Sequence, residues 1–311
     1  MSNIPLDNQP IPQPAAQPRF TINQPAAALP PANNNPLSKY FRQPVIYFAP
    51  PSGGRWWPTG AMKLPETGEF GVYPMTSKDE IILRTPDALM NGQGMIEVIK
   101  SCVPEINDPW KIPSVDVDAT LIAIRIASYG HMMDFDGKCP QCNEEHTYSM
   151  DLRPILDSIR APDFERIFEV RSLLVKFLPQ NYYGMNKSNR TQFEIQKIGQ
   201  QIDALEDDEV KAAEAITQMN RLLDLNLETL AECTEWIAPG DAPDQKVRDK
   251  KHLLEFYRNV DGGVVTLLQN EYAELMTAGG IKPQRTHCAG CQQEMDMTVT
   301  FDYTNFFAPG S

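Results

Sequence analysis

The 311-residue sequence has no run approaching the ~18 apolar residues of a membrane span. Its start, Met1-Ser2-Asn3-Ile4-Pro5, lacks the basic and apolar regions of a signal peptide. Both absences point to a soluble, intracellular chain with no membrane span. Positive charge is scarce: 28 Lys and Arg stand against 41 Asp and Glu, a net charge of −13. That balance argues against nucleic-acid binding, which relies on basic side chains to neutralise phosphates. No phosphate-cradling glycine loop, nucleophile–base arrangement or paired-carboxylate signature stands out, so the expectation is a non-enzyme with no small-molecule substrate.

What the chain does have is unevenly spread. Twelve of its 27 prolines fall in the first 51 residues. Residues 1–60 hold one acid, Asp7, and four bases, Arg19, Lys39, Arg42 and Arg55, so this stretch is locally +3 and the remainder carries −16. Proline fixes φ and removes backbone donors, which favours an extended Pro-rich arm over a packed core. A disordered tail is the bland alternative. Phe20, Tyr40, Phe41, Tyr47, Phe48, Trp56 and Trp57 argue against an inert linker and for partner binding, because large flat side chains anchor into pockets.

Beyond residue 60 the pattern turns helical. Ser77 with Glu80 has the spacing of a capping box. Met95, Val98, Ile99 and Cys102 share a face in a helix expected over 94–103, ended by Pro104. A third helix is expected over 117–129, with Leu121, Ile124 and Ala127 buried and Gly130 as its breaker. The period then changes to two. Met133 and Phe135 alternate with Asp134 and Asp136 before Cys139-Pro140-Gln141-Cys142, and Tyr148, Met150 and Leu152 alternate beyond it. A second such unit closes the chain: Cys288-Ala289-Gly290-Cys291, followed by Met295, Met297, Val299 and Phe301 alternating with acids and threonines.

Two Cys-x-x-Cys knuckles supply four thiolates, the closed tetrahedral set of a structural zinc site. Cys139, Cys142, Cys288 and Cys291 are therefore the expected ligands of one Zn2+. The 145 residues between the pairs far exceed the usual ribbon spacing of about 15–20, so an insertion is required. A dithiol switch is the rival reading, although redox pairs normally open a helix rather than join strands. His131, His146 and His287 are near enough in sequence to be weighed as ligands, but four thiols leave them outside the coordination shell or on the surface. Cys102 and Cys233 read as small buried hydrophobes.

Inside the insertion a strand is expected over 170–178. Residues 189–237 contain no proline and one glycine, Gly199, and apolar residues recur at helical spacing from Ile195 to Leu230. The cluster Glu206-Asp207-Asp208-Glu209 leaves two options, a helical hairpin or one long helix. Further helices are expected over 245–259 and 263–278. The resulting fold class is α+β and predominantly helical: split zinc-ribbon-like knuckles, a large helical insertion and an extended N-terminal arm. Its parts are the arm (1–60), a helical core ending in the first knuckle hairpin (61–165), a strand with the helical insertion (166–280), and the second knuckle with a C-terminal strand (281–311).

An ordered set of motifs also carries a resemblance. Lys63-Leu64-Pro65, Gly68 and Tyr73 precede Met75-Thr76-Ser77-Lys78-Asp79-Glu80 and Leu83-Arg84-Thr85-Pro86-Asp87-Ala88-Leu89. Asn91-Gly92, Ser101-Cys102-Val103, Ala123-Ile124-Arg125 and Ser128-Tyr129-Gly130 follow, then Cys139 to Cys142, Tyr148 and Asp151-Leu152. Over residues 61 to about 180 the run resembles the baseplate protein family of T-even-like contractile-tailed bacteriophages, whose members include the baseplate hub-assembly subunit. The resemblance implies a structural or assembly role in the tail baseplate, hub or hub-proximal, with other baseplate proteins as partners. It places the chain in the virion after assembly in the host cytoplasm. A transient hub-assembly chaperone and a host zinc-ribbon binding or redox protein are the alternatives.

Overall fold

A computed structural model describes residues 20–22, 35–85, 92–203, 207–299 and 306–307. The expectations for the first 19 residues, for the Leu205-Glu206 end of the acidic cluster and for Phe301 lie outside them. Among the described residues the fold is α+β, with eight α-helices and several small sheets.

The first core forms around the helix Ser114–Tyr129 (here α3), preceded by α1 (Ser77–Leu83) and α2 (Gln93–Cys102). Twelve consecutive or near-consecutive residues of α3, from Val115 to Ala127, are buried, so it is covered on nearly every side. Gly130, at φ 88, ends it as the sequence suggests. Strands β1 (Phe20–Ile22), β2 (Ile46–Phe48) and β3 (Phe70–Val72) make one antiparallel sheet, whose Ile46, Phe48, Phe70 and Val72 enter this core. Two hairpins complete it: β4 (Met132–Lys138) with β5 (Glu145–Asp151), then, far along the chain, β9 (Gln284–His287) with β10 (Glu294–Met297).

At α1 the capping box falls one residue earlier than expected. Thr76 has the extended backbone of an N-cap, its side chain accepts from the Asp79 N–H, and the Asp79 carboxylate accepts from the Thr76 N–H at 2.7 Å. Ser77 is already helical, so Ser77 and Glu80 cannot form that pair.

The second core lies in the insertion. The expected strand over 170–178 is a hairpin, β6 (Ile167–Val170) and β7 (Leu173–Phe177), turning at Arg171 with φ 55. Strand β8 (Thr234–Pro239) pairs with β7 and directly follows the helical stretch; Thr234, Trp236 and Ile237 are the β-branched and aromatic types that pack well in a sheet. The helical stretch itself is a pair, α5 (Tyr182–Asp203) and α6 (Asp208–Glu232), joined across the chain-distant ion pairs Lys187–Glu228 and Arg221–Glu194. The hairpin option therefore holds, with Asp207 capping α6 by accepting from Glu209 and Val210 N–H groups. Leu227 and Leu230 of α6 join Val175, Phe177, Leu253, Tyr257 and Leu268 in this core. Helix α7 runs only over Lys250–Asn259, because Asp249 caps it and Val247 is held in a bridge with Ile237. Helix α8 (Gly262–Ala278) then leads to the second knuckle; the short α4 (Leu152–Ser158) follows the first.

Candidate metal centre

Each Cys-x-x-Cys sits at the tip of a hairpin, and the two tips have the same internal geometry. Cys139 N–H donates to the Glu144 carbonyl and Asn143 N–H to the Cys139 carbonyl, both at 2.9 Å. Cys288 N–H donates to Gln293 and Gln292 N–H to Cys288, again at 2.9 Å. Asn143 and Gln292, the residues after the second cysteines, both have φ 60. Gln141 N–H points at the Cys139 sulfur and Cys291 N–H at the Cys288 sulfur, at 3.4 and 3.5 Å. The internal repeat seen in the sequence is thus a repeat of backbone conformation.

The four sulfurs converge although 145 residues separate the pairs in sequence. All lie within 4.8 Å of one another, with Cys139–Cys291 at 3.7 Å and Cys142–Cys288 at 3.6 Å. A tetrahedron of sulfurs around zinc at ~2.3 Å has edges of about 3.8 Å, so the donor set fits such an ion in both chemistry and size. Disulfides have sulfurs about 2.05 Å apart, and all six cysteines are free. Cys139 and Cys288 are buried, Cys142 and Cys291 half-buried.

The backbone N–H groups of Cys291 and Gly290 bring the Cys288 thiol down to about 6. At Cys142 the Glu144 N–H favours the thiolate, but burial and the three neighbouring thiols outweigh it and push the group up to about 12. Four thiolates this close repel one another, so they ionise together only with a cation between them.

The hairpins meet through glycine. A Cβ on Gly137 of β4 would lie 2.6 Å from Met297 Sδ of β10, and a Cβ on Gly290 would collide with the Glu144 carboxylate. Glu144 in turn lies 3.3 Å from His146 Nε2. Tyr148 faces Met295 across the same seam, and Met133, Phe135, Tyr148, Met295 and Met297 of the two hairpins share the first core. His131, His146 and His287 contribute no atom to the sulfur cluster.

The seven arm aromatics are divided among different surroundings. Phe20 lies on β1 opposite Phe48. Phe48 is fully buried, 5.8 Å from the Phe70 ring, and Tyr47 is half-buried beside it on β2. Trp57 packs on the first core, whereas the adjacent Trp56 packs on the second, edge-on to Phe164 at 5.2 Å. Tyr40 and Phe41 are 73% and 48% exposed.

Polar residues that sequence reasoning passed over fasten this segment. Asp116 on α3 is fully buried and accepts from Ser52 N–H at 2.7 Å, Ser52 O–H at 2.5 Å and Trp57 Nε1–H at 2.7 Å. Arg42 donates to the carbonyls of Pro74 and Ser101, both at 2.7 Å, and lies 3.6 Å from the Asp79 carboxylate. In the sequence Asp116 is one of two acids, with Asp118, in the first turn and a half of a largely apolar helix, and nothing there distinguishes the buried one.

A protein family described as T4 bacteriophage base plate protein matches residues 58–308. The chain belongs to that family. Among curated proteins and solved structures, none matches it. The match extends the resemblance, which ended near residue 180, through the helical insertion and the second knuckle, so all four cysteines are inside the base plate region. All seven arm aromatics precede it. Membership implies a place in a phage tail and association with other phage proteins. Among the described residues no helix is long and apolar enough to cross a membrane.

Proposed function

We propose that this base plate family member is a non-enzymatic structural subunit of a contractile phage tail, hub or hub-proximal, whose two distant hairpins are fastened by one structural zinc ion. The observation that carries the reading is the convergence of Cys139, Cys142, Cys288 and Cys291 at tetrahedral spacing inside the family-matched span. In this reading residues 61–165 and 281–311 form the zinc-tied body and 166–280 the insertion. The arm, residues 1–60, makes its contact with neighbouring base plate proteins chiefly through Tyr40 and Phe41, which are exposed. Bound zinc would supply a rigid cross-link and no reactive position, since four protein thiolates complete its shell.

Protein identification and metal analysis on purified virions test this. The expected result is the chain present in finished particles with one zinc per copy. A chain required for assembly but absent from particles would instead identify the transient hub-assembly chaperone that the projecting acidic hairpin also suits. Assembly in the host cytoplasm follows from either reading.

A further inference from the structure

The outer half of α6 presents an apolar stripe to solvent. Leu225, Leu227, Leu230 and Ala231 are its buried residues, and Arg258, near the end of α7, reaches α6 at Asp224. Before that point nothing on α6 is buried, and the helix projects for about 16 residues, or roughly 24 Å. Along it, Ala212, Ile216, Met219 and Leu223 follow one another at intervals of four, three and four, all exposed, with the last three at 61%, 73% and 53%. The stripe continues the line of Leu230 beyond the second core. Meanwhile the half-buried positions, Lys211, Glu214, Gln218 and Leu222, lie on the side toward α5. The projecting helix therefore turns Lys211, Glu214 and Gln218, with Leu222, toward its own hairpin and the apolar stripe out.

We infer that this stripe pairs with the same stripe of a second copy of this chain, in an antiparallel helix–helix contact about a two-fold axis. The 4-3-4 spacing is that of a coiled-coil seam, so the matching surface is another helix. Two further observations select a second copy. Flanking positions of such a seam set partner choice through charge, and here they are Ala213, Ala215, Asn220 and Leu222, with no charge to repel a like chain despite the overall −13. The stripe is also self-complementary when reversed. Centring the axis between Thr217 and Gln218 sets Ile216 opposite Met219 and small Ala212 opposite large Leu223, in both directions at once. A closed two-fold contact requires that reciprocity. The short seam makes the association weak on its own, and useful where copies are held at high local concentration.

Sedimentation equilibrium of the full, metal-replete chain, from micromolar to submillimolar concentration, tests the inference. The expected result is a monomer–dimer equilibrium that Ile216→Glu and Met219→Lys each abolish, with circular dichroism and metal content unchanged. An equimolar mixture of those two variants should regain dimer, because only the antiparallel register sets position 216 against 219. A chain that stays monomeric overturns the inference and leaves the stripe to a different protein. Dimers unaffected by either variant, or a mixture that does not recover, overturn it equally.

Discussion

Asp116 shows how one side chain can decide the path of a long segment. Its carboxylate is enclosed and takes three donors from Ser52 and Trp57, residues about 60 positions earlier. Asp116→Ala would leave a buried N–H, a hydroxyl and an indole N–H without their acceptor, a loss of about 3 kcal/mol at 1–3 kcal/mol for each unsatisfied group after partial relaxation. Urea unfolding should show that loss, together with faster proteolysis between residues 42 and 57; a change under 1 kcal/mol would mean that water replaces the carboxylate. Gly279 offers a contrasting case. A Cβ there would stand 2.5 Å from Pro162 Cδ and 2.9 Å from the Arg160 carbonyl oxygen, and neither neighbour can swing aside. Gly279→Ala should cost about 1–3 kcal/mol in the same assay, whereas Gly290→Ala, whose obstacle is the free end of Glu144, should cost less.

At the scale of elements, what could be read in advance was what depends on near neighbours. The Cys-x-x-Cys knuckles, the apolar periods of α2 and α3 and the glycine at the end of α3 are local patterns, and each element formed where its pattern lies. Strand β8 was hidden because Thr234 to Ile237 follow a long helix without a proline or glycine to mark the change; pairing with β7 selects the strand. Aromatics in a proline-rich stretch read as the partner-binding residues of an extended arm for the same reason, since the acceptors that fix Ser52, Trp57 and Arg42 are remote in sequence. Helix α4 gives a local prediction. Asp151 caps it by accepting from Arg153 N–H, and the Arg153 guanidinium bound to the carboxylate holds Asp151 below the usual carboxylate range. A group with a depressed folded pKa stabilises above its unfolded pKa, near 4, and that contribution is lost as pH falls through the folded value. Asp151→Ala should therefore cost about 1 kcal/mol at neutral pH, and the gap between variant and parent should close as acidification takes the pH below the ordinary carboxylate range. A gap independent of pH would assign the loss to packing instead.

At the scale of the whole molecule, the two cores differ in how they are closed. The second is built mainly from one continuous stretch, with β6, β7, β8, α7 and α8 packed on the base of α6, joined from outside it by Val115 of α3 and Trp56. The first needs β9, β10, Phe306 and Phe307 from the far end of the chain to cover hairpin β4–β5 and its neighbours. Chain closure over that distance is entropically costly, and four thiolates on one ion are the device that would offset it; structural zinc sites in small peptides contribute ~10–16 kcal/mol. Removing the metal with a chelator should then act unevenly. Hydrogen exchange should accelerate in β4, β5, β9 and β10, while β6 to β8 and α7 stay protected. Thiol alkylation of the native protein should follow the same division. Cys139, Cys142, Cys288 and Cys291 should become reactive on chelation, but Cys102 and Cys233, pushed up to about 12 and about 11 chiefly by burial, should not. Cys139→Ser should reproduce the chelated pattern and reduce incorporation into base plates. Uniform acceleration across both cores would mean that the metal holds the entire chain rather than its closing seam, and no change on chelation would remove the metal from the account of the fold.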